Sequence, residues 1–177
     1  MRRWLVTLLT VSVVFAAVVG RAAAETRVAL VVGNNRYEHM PVLDNPVTDA
    51  RNMRAALQKL GFDVIYGEDL DKRTFERSIA NFAHAASSAD VALVFFAGHG
   101  ATFGDTSYVI PVDAQLTALE AVPYELVPLE SVIGELRRAK GVRIAILDAC
   151  RLAWNWLIDE PDRIRSIGTR EWARVNV

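Results

Sequence analysis

Cysteine is almost missing from this chain: Cys150 is the only one in 177 residues. A lone thiol excludes an internal disulfide. Histidine is scarce too, at positions 39, 84 and 99, and no spacing of His, Cys, Asp and Glu matches a zinc site. Charge of one sign is not in excess. The net charge of −1 gives no footing for nucleic acid or an anionic membrane surface. Internal repeats and low-complexity segments are absent. Gly33-Asn34-Asn35 is no phosphate-cradling loop. A long apolar run occurs once, from Trp4 to Val19, and it is short for a membrane span.

What surrounds that run gives it a different meaning. Met1-Arg2-Arg3 precedes it, and Ala22-Ala23-Ala24 follows it before Glu25. A basic start, an apolar middle and small residues at the end describe a secretory signal peptide over residues 1–24. An uncleaved membrane anchor is the alternative. The twin arginine lacks the flanking residues of a dedicated export signal, so general secretion is expected. The expected location is periplasmic or extracellular, with no stable membrane span once the signal is cleaved. Residues 25–177 are enough for one domain with its own core.

Arg27 to Val32 is a β-branched and apolar run closed by Gly33-Asn34-Asn35, which predicts a strand buried on both faces and then a turn. Asn45-Pro46 predicts a helix start, with Asn45 as N-cap and Pro46 at the first helical position. Val47, Met53, Ala56, Leu57 and Leu60 share that helix, which stops at Gly61. Phe62–Tyr66 reads as the second strand. Asp71 caps a second helix whose apolar face is Phe75, Ile79, Phe82 and Ala86. Val91–Ala97 is the third strand. Tyr108–Pro111 reads as a short edge strand, because Pro111 cannot donate to a ladder. Leu129, Val132, Ile133, Leu136 and Ala139 predict a further helix, and Val142–Leu147 the fourth strand. This order predicts the α/β class: a mostly parallel sheet with helices on both faces.

Reactive groups collect at the carboxyl ends of such strands. The third strand ends in Gly98-His99-Gly100 and the fourth in Asp148-Ala149-Cys150-Arg151. A thiol becomes a good nucleophile beside a base, and an imidazole is one. By count alone Cys150 is an inert core thiol; its place in the chain argues for a nucleophile. The glycines leave backbone amides able to face the crevice, so Gly100 and Cys150 are candidate oxyanion donors. The chemistry suggested is thiolate attack on a peptide carbonyl, with His99 protonating the leaving amine and then activating water. Asp148 is either a cap or a substrate contact. His84 falls on a helix and His39 in a polar loop, and neither is placed in the site.

These residues resemble the caspase-like cysteine peptidases, and among them the bacterial metacaspase-type group. The matching segments are Arg27–Asn34, Leu43–Ala50, Leu60-Gly61-Phe62, Phe95–Gly100 and Asp148–Arg151. Caspases carry Gln-Ala-Cys, then Arg, Gln or Gly, then Gly, with the His about 50 residues upstream; here the gap from His99 to Cys150 is 51 and Asp148 stands in place of Gln. The resemblance spans residues 26–151. It implies a caspase–haemoglobinase-like three-layer sandwich, a Cys150–His99 dyad, no cofactor, and peptide or protein substrates. It also implies that Asp49 and Asp148 line an S1 pocket selecting Arg or Lys, since carboxylates pair with a basic side chain and repel an acidic one. The calcium dependence of some metacaspases finds no ligand cluster here.

The resemblance further implies Asn and Pro after the Cys-Arg pair, and then a small-subunit half carrying the last strands. The chain reads Leu152-Ala153-Trp154-Asn155-Trp156-Leu157-Ile158 and ends at Val177. Residues 25–151 are therefore expected to form the large-subunit part of a catalytic domain, with 152–177 a divergent tail. A truncated relic unable to cleave peptides is the first alternative. A flavodoxin-like binding module with an incidental cysteine is the second.

Overall fold

A computed structural model describes residues 25–151. The expected signal peptide and the divergent tail lie outside them. The elements in chain order are β1 (Arg27–Gly33), α1 (Pro46–Lys59), β2 (Asp63–Glu68), α2 (Lys72–Ala86), β3 (Val91–Phe103) and β4 (Thr106–Val109). They continue with α3 (Val122–Glu125), β5 (Val127–Pro128), α4 (Leu129–Ile133), a 3-10 turn over Gly134–Arg138, and β6 (Val142–Arg151).

β1 pairs in parallel with β2 on one side and β3 on the other. β3 pairs in parallel with β6 along Val91–Gly100 and antiparallel with β4 along Gly100–Phe103. β5 extends the sheet beyond β4. The period-two alternation of β1 and β3 divides the core. Val28, Leu30, Val32, Ala92, Val94 and Phe96 pack with Phe75, Ile79 and Phe82 of α2 and with Leu129, Val132, Ile133 and Leu136. Ala29, Val31, Leu93, Phe95 and Ala97 face the other way, against Ala50, Met53 and Leu57 of α1. Helices thus cover both faces, as the sequence pattern requires. Each fully buried Phe or Leu contributes about 1.5–3 kcal/mol relative to exposure.

Several local expectations are corrected. Asn45 does precede α1, but its backbone is helical (φ −106°, ψ −29°) and its side chain makes no cap bond. A capping side chain needs an extended backbone to turn back onto the first turn. Asn35, from the loop after β1, takes that role: its Oδ1 accepts from Val47 N at 2.7 Å. Asp71 caps α2 as expected, accepting from Thr74 N at 2.6 Å. The helix expected over 129–139 is one α turn that continues as 3-10. Gly134 at the junction carries the backbone cost that disfavours a longer helix. The Tyr108–Pro111 run is not an edge: β4 lies between β3 and β5, and Pro111 falls beyond it. β3 runs past its expected end at Ala97 to Phe103.

Candidate active site

Two asparagines after β1 build the loop that approaches His99. Asn34 is fully buried. Its amide donates to Ala97 O at 2.9 Å, its Nδ2 to Ile110 O at 3.2 Å, and its Oδ1 accepts from Leu70 N at 3.0 Å. One side chain therefore joins β1, the β2–α2 turn and the end of β4. The amides of Asn35 and Arg36 both donate to Asp69 Oδ1, at 2.7 and 3.0 Å. Asp69 has φ +50°, a left-handed conformation that Asp tolerates better than most residues. The loop so fixed carries Tyr37 and Pro41 to the imidazole.

His99 is 2% exposed. Its Nε2 lies 2.8 Å from Pro41 O. A carbonyl can only accept, so Nε2 carries the proton and donates. Nδ1 is then the basic nitrogen, buried and without a hydrogen-bond partner among the described residues. Burial pushes the imidazole below its ordinary pKa, and the bond to Pro41 works in the opposite direction. The site thus holds a neutral imidazole with its lone pair on Nδ1, the form a general base needs.

The register brings the two candidate catalytic residues opposite each other. In the β3–β6 ladder His99 is the Cα partner of Cys150, Ala97 of Asp148, and Gly100 of Arg151. Ala97 belongs to the cluster beneath α1, so its partner Asp148, which is exposed, lies on the sheet face that α1 covers. Asp49, half-buried, sits in the first turn of α1. His99, Asp148 and Asp49 thus belong to one end of one sheet face, with Cys150 opposite His99 in the register. His39 and His84 are both exposed: His84 is on α2, and His39 lies on the loop between Tyr37 and Pro41, 3.9 Å from Glu38.

His99 and Cys150 do not lie just past the strand ends, as expected from the sequence, but inside the strands. Ile110 N donates to His99 O at 3.0 Å, so the Gly100–Val109 rung that follows is a non-hydrogen-bonded one. The Gly100 amide is consequently turned away from β4 and toward β6. Pro41 and Tyr37 were not legible as site residues. A backbone carbonyl leaves no trace in a side-chain pattern, and Tyr37 sits in a stretch read only as polar loop. Among the described residues no group of three or more His, Cys, Asp and Glu could hold a metal ion. None of their helices is long and apolar enough to cross a membrane.

The family model for the caspase domain matches residues 26–171. The chain belongs to the caspase family. It is 26% identical over 132 residues to mucosa-associated lymphoid tissue lymphoma translocation protein 1 of Homo sapiens, covering 72% of this chain and 15% of that protein. It is 32% identical over 77 residues to Caspase-12 of Mus musculus, covering 42% of this chain and 18% of that one. It is 24% identical over 138 residues to Paracaspase of Dictyostelium discoideum, covering 74% and 32%. The caspase chain thus spans less than a third of the length of each of these relatives. Its fold is shared with the crystal structure of protein GSU0716 from Geobacter sulfurreducens, at a TM-score of 0.55 and 20% identity over 71% of this chain and 50% of that one.

Proposed function

We propose that this caspase-family chain is a cysteine endopeptidase that uses Cys150 and His99. The observation that carries the reading is the imidazole tautomer. Pro41 O holds the Nε2 proton, and the basic Nδ1 is left on a residue paired rung to rung with Cys150. In this mechanism Nδ1 takes the thiol proton and the sulfur attacks the peptide carbonyl carbon. The imidazolium then gives its proton to the leaving amine, and a thioester remains. Water, deprotonated by the same Nδ1, attacks the thioester and releases the new carboxyl end and the thiol.

The Gly100 and Cys150 amides are the proposed donors to the oxyanion. Both residues are in the ladder, so the rungs His99–Cys150 and Gly100–Arg151 have to part when substrate enters. Asp49 and Asp148 are the proposed S1 carboxylates, favouring Arg or Lys before the scissile bond. The N-terminal pattern extends the proposal to an exported, periplasmic or extracellular enzyme, and N-terminal sequencing of the secreted protein tests cleavage after Ala24.

The main test is hydrolysis of fluorogenic peptides ending in Arg, Lys or Asp by the full chain. We expect Arg and Lys peptides to be cleaved, and Cys150→Ala and His99→Ala to abolish turnover. Asp49→Asn and Asp148→Asn should each lower kcat/KM for Arg by about tenfold or more, the scale of losing one charge-assisted contact. Preference for the Asp peptide would overturn the S1 assignment. A folded chain with no turnover on any peptide would favour a non-catalytic caspase relic.

A further inference from the structure

The antiparallel start of the β3–β4 ladder is half built. His99 and Ile110 are the next opposed pair beyond Gly100–Val109, and such a pair exchanges two backbone bonds when complete. Only one is made, from Ile110 N to His99 O. The other is replaced by two side chains. Asn34 Nδ2 donates to Ile110 O, and Tyr37 Oη accepts from His99 N at 2.8 Å.

Tyr37 is itself 5% exposed, and its ring lies 4.4 Å from the imidazole, tilted by 47°. Gly98 makes room for it. A Cβ there would come within 2.6 Å of Tyr37 Oη and 2.9 Å of Phe96 Cζ, at φ +155°. The backbone amide, the ring face and the preceding residue of His99 are therefore all shaped around one side chain.

We propose that Tyr37 is a positioning residue for His99: its hydroxyl takes the place of a ladder carbonyl and its ring sets the imidazole plane, so that Nε2 meets Pro41 O and Nδ1 is directed to the nucleophile. The proposal rests on the Cys150–His99 reading and deepens it. Tyr37 acts through His99 and needs no contact with substrate. Replacing the hydroxyl leaves a buried amide without its acceptor, whereas replacing the ring removes the wall that fixes the imidazole.

Because the chain has a single cysteine, alkylation of the full chain by iodoacetamide, followed by mass spectrometry, reads Cys150 alone. The rate at neutral pH is compared for the wild type, His99→Ala, Tyr37→Phe and Tyr37→Leu, each referred to its folded fraction from thermal melting. We expect His99→Ala to slow alkylation by about tenfold or more, since thiolate formation then loses its base. Tyr37→Phe should slow it by about threefold, and Tyr37→Leu should approach His99→Ala, in line with the cost of an orphaned buried donor and of lost aromatic packing. For any peptide the enzyme cleaves, the loss should fall on kcat with KM within about twofold.

A purely structural role for Tyr37 lowers the melting temperature and leaves the rate per folded molecule unchanged. Wild-type rates in both Tyr37 variants beside a slow His99→Ala would overturn the positioning role alone. A wild-type rate in His99→Ala would overturn the dyad itself. Amide hydrogen exchange in the unsubstituted chain tests the bond without any variant: His99 N–H should be among the slow amides, and fast exchange there would overturn the assignment.

Discussion

His99 titrates as well as being the proposed base, and this sets a pH signature. Its folded pKa lies below the ordinary 6.5, mainly because burial disfavours the charged ring. The unfolded chain therefore binds the proton more readily than the folded one. His99 contributes no penalty above pH 6.5, and stability falls as pH drops from there toward the folded pKa. Thermal melts between pH 5 and 8 should show this slope in the wild type and a flatter profile in His99→Gln. Gly98→Ala sits beside it. The added methyl meets Tyr37 Oη at 2.6 Å in a backbone region that L residues avoid. Urea unfolding should report a loss of about 2–4 kcal/mol, combining overpacking with backbone strain.

The two proposed catalytic residues stand out in the sequence at this scale, because each follows a strand-forming run and each residue type is rare in the chain. Tyr37, Asn34 and Pro41 were not. Their roles depend on partners more than 50 positions away, and in one case on a carbonyl that every residue possesses.

Among elements, the union of α1 and β2 is the clearest local construction. The Arg51 guanidinium meets Glu68 through Nε at 2.8 Å and Nη2 at 2.5 Å, and Tyr66 Oη donates to the same carboxylate at 2.5 Å. Arg54 lies 4.7 Å over the Tyr66 ring. The hydrogen bonds from Arg51 and Tyr66 hold Glu68 down to about 2, and desolvation together with Glu68 raises Tyr66 to about 12. With its folded pKa depressed, Glu68 stabilises the fold above its ordinary 4.5, and that contribution is lost as pH falls toward 2. Arg51→Met should cost little at neutral pH, because the guanidinium is exposed and the pair is screened by solvent. Acid titration followed by circular dichroism should show wild type and variant converging near the bottom of that window.

Element identity followed well from period and capping: β1, α2 and β3 start where the sequence places them. The misassigned cap of α1 shows where such reading ends. Asn45 has the right residue type next to the helix. Yet the backbone conformation needed for capping was already spent on the turn, and Asn35 reached the helix from ten positions further back.

For the whole molecule, the sheet has unequal flanks. Among the described residues β6 pairs with β3 on one side only, and Val142 and Ile146 are 55% and 37% exposed on it. The centre of the sheet is different: Phe96 is 1% exposed between α2 and the sheet. Ile146→Lys should therefore change stability by less than about 1 kcal/mol, whereas Phe96→Ala should cost about 3–5 kcal/mol, as large buried aromatics do. Chemical denaturation of both variants checks the contrast. Ile146→Lys should also lower any concentration-dependent light scattering, since a charge on a strand edge discourages pairing with another chain.

The half-built rung has a consequence for the order in which the molecule is made. The hydrogen bonds described around His99, from Asn34, Tyr37, Pro41 and Ile110, come from chain already synthesised by residue 110. Cys150 belongs to a strand that emerges some forty residues later and must find β3 across that interval. Domains fold as their segments become available, and distant pairings close last. The proposed base is thus seated in its socket before the proposed nucleophile has been synthesised, and a nascent chain of this protein is on that reading chemically unarmed until its final described strand docks.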